Sequence, residues 1–224
     1  MKSLKARRSD YVDPKFQLNL LNRPELPKFQ PLLKPTGLDT LQITDSLALK
    51  NMRGTFTTKG GLDGDFTANL NGGTLIQGQV LPQNGRSAVR VTSIDAGGVF
   101  ASAGVLKQAR GGDLSLTLVP VGKDGAFDGQ LNVKNTRIIE APAIAELLNA
   151  LSIVGLLEQM RGSGIHFEEV EAAFGLTPST MSLRSASATG SSMGITMDGI
   201  YAVDTGVLDM RGVISPLYLL NGIG

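Results

Sequence analysis

From Leu38 to Ile214 the chain repeats one pattern: short runs of alternating apolar and polar residues, divided by clusters of Gly, Pro, Asn and Asp. Period-two alternation marks β-strands buried on one face, because successive side chains of a strand point to opposite sides. Leu41 and Ile43, Leu47 and Leu49, and then Leu62, Phe66, Ala68 and Leu70 open the series, the last group beside Asp63-Gly64. Residues 74–81 and 87–94 flank Pro82-Gln83-Asn84-Gly85, whose Asn-Gly pair suits a turn with positive φ, so these runs are predicted to form a hairpin. Residues 113–119 and 127–133, on either side of Lys123-Asp124-Gly125, predict a second hairpin. Residues 181–188, 193–203 and 207–214 predict three more strands, with a kink at Asp198-Gly199.

Two stretches change period. Over 95–109, Val99, Phe100, Ala103 and Leu106 recur at three- and four-residue spacing, with Asp95 placed to cap the start and Gly111 beyond the end. Over 141–160, Pro142 sits in the first turn, and Ile144, Leu147, Leu148, Leu151, Val154, Leu157 and Met160 line one side of a longer helix. In the strand that follows, the apolar phase runs through Ile165 and Phe167, then through Val170, Ala172, Phe174 and Leu176. A β-bulge at Glu168-Glu169 would keep both halves on the core side. Residues 1–36 carry five prolines among charges and predict an extended lead-in, and 37–224 form one β domain with no clear second one.

Composition narrows the chemistry. The 28 glycines, the absence of Trp and an aromatic content of 5% point to turns and thin strands rather than a thick aromatic core. A formal charge of +1 gives no electrostatic bias toward nucleic acid, which is not expected as a partner. Without cysteine there are no disulfides, thiolate metal sites or thiol nucleophiles, and the compartment stays open. The basic start MKSLKARRSDYVDPKFQ is not followed by an apolar run of signal-peptide length, and no stretch reaches the roughly 18–20 apolar residues that span a bilayer. Any anchor is expected outside this chain.

The motifs that could carry catalysis fail their context. Gly190-Ser191-Ser192-Met193-Gly194 has the G-x-S-x-G spacing of a hydrolase nucleophile elbow, yet a strand pattern follows, and the one histidine, His166, precedes the serine. Alternation sets His166 on the face opposite Ile165 and Phe167, toward solvent. Glu168, Glu169 and Glu171 serve more simply as solvated edge residues than as paired acid and base. Gly60-Gly61-Leu62-Asp63-Gly64-Asp65 lacks the ligand spacing of a calcium loop and reads as a turn, and Gly97-Gly98 and Gly111-Gly112 lack a phosphate-loop context. No enzyme, metal site or cofactor is expected.

The order of segments carries a resemblance. DAGGVFASAGVLKQARGGDLSLTL, then FDGQLNVKNTRIIEAPAIAELLNALSIVGLLEQMRGSGIHFEEVEAAFGL, then SLRSASATGSSMGITMDGIYAVDTGVLDMRGVISPLYLLNGIG, resembles the carboxy-terminal region of AsmA-like proteins of Gram-negative bacteria, the YhdP and TamB relatives. It covers residues 37–224 and is strongest from Asp95 onward. The resemblance implies a mainly β fold with two helices, in which a curved antiparallel sheet forms an open, taco-shaped groove. It further implies a non-enzymatic segment of a periplasm-spanning lipid-transfer protein, bound to the inner membrane through regions outside this chain. Phospholipid or another acyl lipid would be the cargo and outer-membrane lipid homeostasis the outcome. On that implication the lipid-contacting candidates are Leu114, Leu116, Leu118, Leu131, Val133, Phe167, Phe174, Ile195 and Met197. The family pattern continues past PLYLLN, so the chain is expected to be a carboxy-terminally incomplete piece with a strand edge near 207–214 open to other chains. The same alternation also fits a structural or assembly β-module with a closed core that binds envelope proteins through its edges. Periodicity does not separate the two.

Overall fold

The alternating runs become strands, and the strands pair in the order in which the chain makes them. The computed structural model describes residues 6–7, 36–58, 60–122, 125–140, 145–146, 149–150 and 162–216. Thirteen strands form one antiparallel sheet: β1 (Ala6–Arg7), β2 (Thr36–Gln42), β3 (Ala48–Thr57), β4 (Asp63–Leu70), β5 (Leu75–Gln83), β6 (Arg86–Ser93), β7 (Ala109–Arg110), β8 (Asp113–Pro120), β9 (Phe127–Ile138), β10 (Ile165–Leu176), β11 (Thr180–Thr189), β12 (Met193–Ala202) and β13 (Leu208–Pro216). Strand order follows chain order, except that β7 pairs with β9 beside β8, and among the described strands the sheet stays open, with β1 and β13 as its two edges. Asn84 and Gly85, at φ 49° and 77°, make the expected two-residue turn between β5 and β6. The turn residues Lys123 and Asp124 of the second predicted hairpin lie outside the described residues. So do the lead-in apart from Ala6, Arg7 and Thr36 and most of the predicted helix over 141–160, of which residues 145–146 and 149–150 are helical.

One register row crosses eleven strands. It runs from Thr36 and Gly54 through Phe66, Gly78, Val91, Leu116, Leu131, Ala172, Ala186 and Met197 to Gly212, each residue directly opposite the next. The adjacent row, from Thr67 through Gln77, Thr92, Ser115, Asn132, Glu171 and Ser187 to Thr196, is polar and points to the other face. The sheet therefore has one apolar and one polar side along most of its width.

Local slips keep that assignment. Asn51, at φ 53°, shifts β3 by one residue against β4, so Leu49 and Met52 are both buried. The predicted phase change at Glu168-Glu169 is present, but its mechanism differs from a one-sided bulge. Two residues lie between Phe167 and Val170, and two lie between their partners Thr136 and Val133, so β9 slips in step with β10 and no residue is inserted. Asn135, at φ 56°, makes the turnover in β9, and Gly111 and Gly112, at φ 60° and 93°, make it on the far side between β7 and β8. The register shift of β10 against β11 instead falls at Ala173/Phe174.

Helix α1 (Ala96–Ser102) is seated on this fault. Asp95 caps it as expected, its carboxylate accepting from the Gly98 N–H at 3.0 Å. The Ala96 and Gly97 N–H groups donate to the carbonyls of Gly112 and Gly111, at 2.7 and 3.0 Å, so the slip satisfies two helix-start donors. The helix is shorter than the predicted 95–109: Gly104, at φ 73°, ends it, and Ala109 and Arg110 join the sheet as β7.

The best-packed region lies on the apolar face of β2–β5, where Leu38, Leu41, Leu49, Met52, Phe56, Phe66, Ile76 and Val80 form one cluster. Glycines opposite phenylalanines let the rings lie down. Phe66 faces Gly78, Phe56 faces Gly64 and Phe174 faces Gly129, and a Cβ at any of these glycines would run into the ring. Gly78→Ala should therefore lower the unfolding free energy in urea by about 1–3 kcal/mol. Gly37→Ala, where a Cβ meets nothing within 4 Å, should change it by no more than about 0.5 kcal/mol.

Candidate functional site

The register brings most of the nine predicted lipid-contacting residues together on the apolar face. Leu114 is opposite Val133, Leu116 opposite Leu131, and Leu118 and Phe174 both flank Gly129. Leu114 and Val133 are buried with Ala96 beneath α1, where Val99, Phe100, Leu116, Leu131 and Val170 pack against them. Phe167 is buried with Ile165 and Met193, and Ile195, Ile214 and Ala145 pack against that second group. Leu118 and Phe174 are half-buried, and Met197 is 41% exposed. The candidates thus grade from sealed at β8–β10 to open at β12. No residue of β11 or β13 is buried.

Two concavities open on the polar face. The larger, of about 870 Å³, spans β8 to β13 and is lined by the polar row at Ser115, Asn132, Glu171, Ser187 and Thr196, and also by Leu131 and Met197 of the neighbouring apolar row. The smaller, of about 410 Å³, spans β3 to β6 and is lined by Arg53, Thr55, Asp65, Thr67, Gln77, Gln79 and Arg90 among others. Two ion pairs lie at the larger one. Arg184 reaches across Gly175 to donate to Asp128 at 2.7 Å, and Arg211 Nε donates to Asp198 at 2.9 Å. The Arg184 pair is half exposed on both sides, so solvent screens it and its contribution to stability is small. Alternation along single strands does not assemble these residues, because neighbours across strands are fixed by register.

The chemical motifs of the sequence lie in strands and the turns between them. Gly190-Ser191-Ser192 turns β11 directly into β12, with the Gly190 N–H donating to the Met193 carbonyl at 3.0 Å, so no strand-to-helix elbow forms around Ser192. Gly190 is required there because a Cβ would strike the His166 carbonyl. The His166 side chain is exposed, in register with Arg137. Gly60 and Gly61 turn β3 into β4. Among the described residues no group of three or more His, Asp or Glu could hold a metal, and no helix is long and apolar enough to cross a membrane.

No protein-family model, no curated protein and no solved structure matches the chain. The gradient of packing along the apolar face is testable on its own. Leu114→Ala should cost about 2–5 kcal/mol of stability by chemical denaturation, and Met197→Ala no more than about 0.5 kcal/mol.

Proposed function

We propose that this chain is a non-enzymatic segment of a lipid conduit, in which the apolar face of the sheet shields the acyl chains of phospholipids. The observation that carries the reading is the apolar register row from Phe66 to Met197, continuous across the sheet and ending among exposed strands. A methylene exposed to water costs about 0.8 kcal/mol, so a two-chain lipid leaving a bilayer faces on the order of 20 kcal/mol. A continuous apolar strip lowers that barrier with no covalent step. The segment order that resembles AsmA-like proteins supports a periplasmic place, association with the inner membrane through other regions, and a contribution to outer-membrane lipid homeostasis.

A second reading has its own support. Leu114, Val133 and Phe167 are packed at 5%, 0% and 2% exposure, which fits a module with a closed core that meets envelope proteins through its strand edges. Position 197 separates the two. A photo-crosslinking amino acid in place of Met197, in protein isolated from a Gram-negative periplasm, should label phospholipid detectable by mass spectrometry after extraction. The same group in place of Thr196, on the opposite face, should label several-fold less. Well-folded protein that yields no phospholipid, or equal labelling at both positions, sinks the conduit and leaves the closed module.

A further inference from the structure

Six of the ten large hydrophobic side chains exposed among the described residues lie between Met197 and Val213, on β12, β13 and the turn joining them. Apolar exposure concentrated at one place marks an interaction surface. β13 carries Leu208 and Val213 of this set and forms one edge of the sheet. Its register with β12 runs without a shift from Pro216 opposite Met193 to Leu208 opposite Tyr201, and its outer side pairs with no described strand. No lysine, bulge or internal proline blunts this edge, which are the usual devices against strand addition.

We propose that β13 pairs antiparallel with β13 of a second copy of this chain, in the register that sets Met210 opposite itself. Charge selects the partner and the register together. With Met210 at the centre, Asp209 of each copy falls opposite Arg211 of the other, and Val207 falls opposite Val213. Centring the pair on Arg211 or Asp209 would oppose like charges, and centring it on Gly212 would leave both charges without a counterpart. Arg211 is free to take the second carboxylate. Its side chain is 85% exposed, and it donates to Asp198 through Nε, so its two Nη groups remain for Asp209 of the other copy. The two-fold axis of such a pair stands perpendicular to the sheet, so the apolar faces of both copies lie on the same side. The inference does not depend on what that face carries.

The full chain has no cysteine, so the register can be read by adding one. Met210→Cys should give a disulfide-linked dimer under mild oxidation, because directly opposed residues lie within bonding reach. Ile214→Cys should not, since the two copies would be separated by roughly 27 Å along the strands. By light scattering the parent should have twice the monomer mass. Asp209→Lys and Arg211→Glu, each with an unchanged circular dichroism spectrum, should be monomers alone and form a dimer when mixed, because each supplies the charge that the other lost. A monomeric parent, dimers that survive either charge change alone, disulfide formation through Ile214→Cys, or open-ended filaments from β13 joining the β1 edge would each overturn the proposal.

Discussion

A side chain on a strand changes face at every residue, so a one-residue error in pairing turns an entire strand's apolar set into solvent. Across a sheet this wide, everything else depends on how that constraint is met. The row through Gly78, Leu116, Ala172 and Met197 exists because strands meet in register along it, the shifts at Lys50/Arg53, Ala173/Phe174 and Leu183/Ala186 falling outside the row. At the fault beneath α1, adjacent strands change phase together: Gly111-Gly112, Asn135 and the 167–170 stretch of β10 lie side by side. Thr136, buried at 4%, marks the repair, its hydroxyl donating to the Arg110 carbonyl at 3.2 Å. The helix then uses the backbone groups that the slip turns away from the ladder.

Thinness is the second property of this sheet. A phenylalanine standing on a strand projects well above the backbone, but one facing a glycine can fold down over it. Phe56, Phe66 and Phe174 all do so. Glycine in a strand interior ordinarily weakens the sheet; here the ring fills the place of the missing side chain. The same substitution that would strengthen an open strand position therefore disrupts a covered one.

Much of the fold could be read from the chain because its contacts are local. Asn84-Gly85 announces a turn, and the period-two runs announce β5, β6, β8 and β12. The sequence signal fails where tertiary pairing decides. β9 continues to Ile138, five residues past Val133, through Lys134-Asn135-Thr136-Arg137, a stretch too polar to show alternation. Ala109, the last residue of the predicted helix, is taken with Arg110 by β9, and the partner slip at Asn135 has no apolar marker. The nine candidate residues were legible as one alternating set. Their division into sealed and open members was not, because burial depends on α1 and on the neighbouring strands.

The chain-order meander has a mechanical consequence. Apart from α1, each strand makes its substantial contacts only with the strands beside it, so the sheet behaves as a one-dimensional array. Such an array comes apart from its weak end. The β2–β5 cluster holds its residues under 10% exposure, whereas β13 has no buried residue. In a single unpaired copy, loosening would begin at β13 and travel toward the β2–β5 cluster one hairpin at a time. Amide hydrogens should therefore exchange in a graded order along the sequence, like a zip fastened at one end.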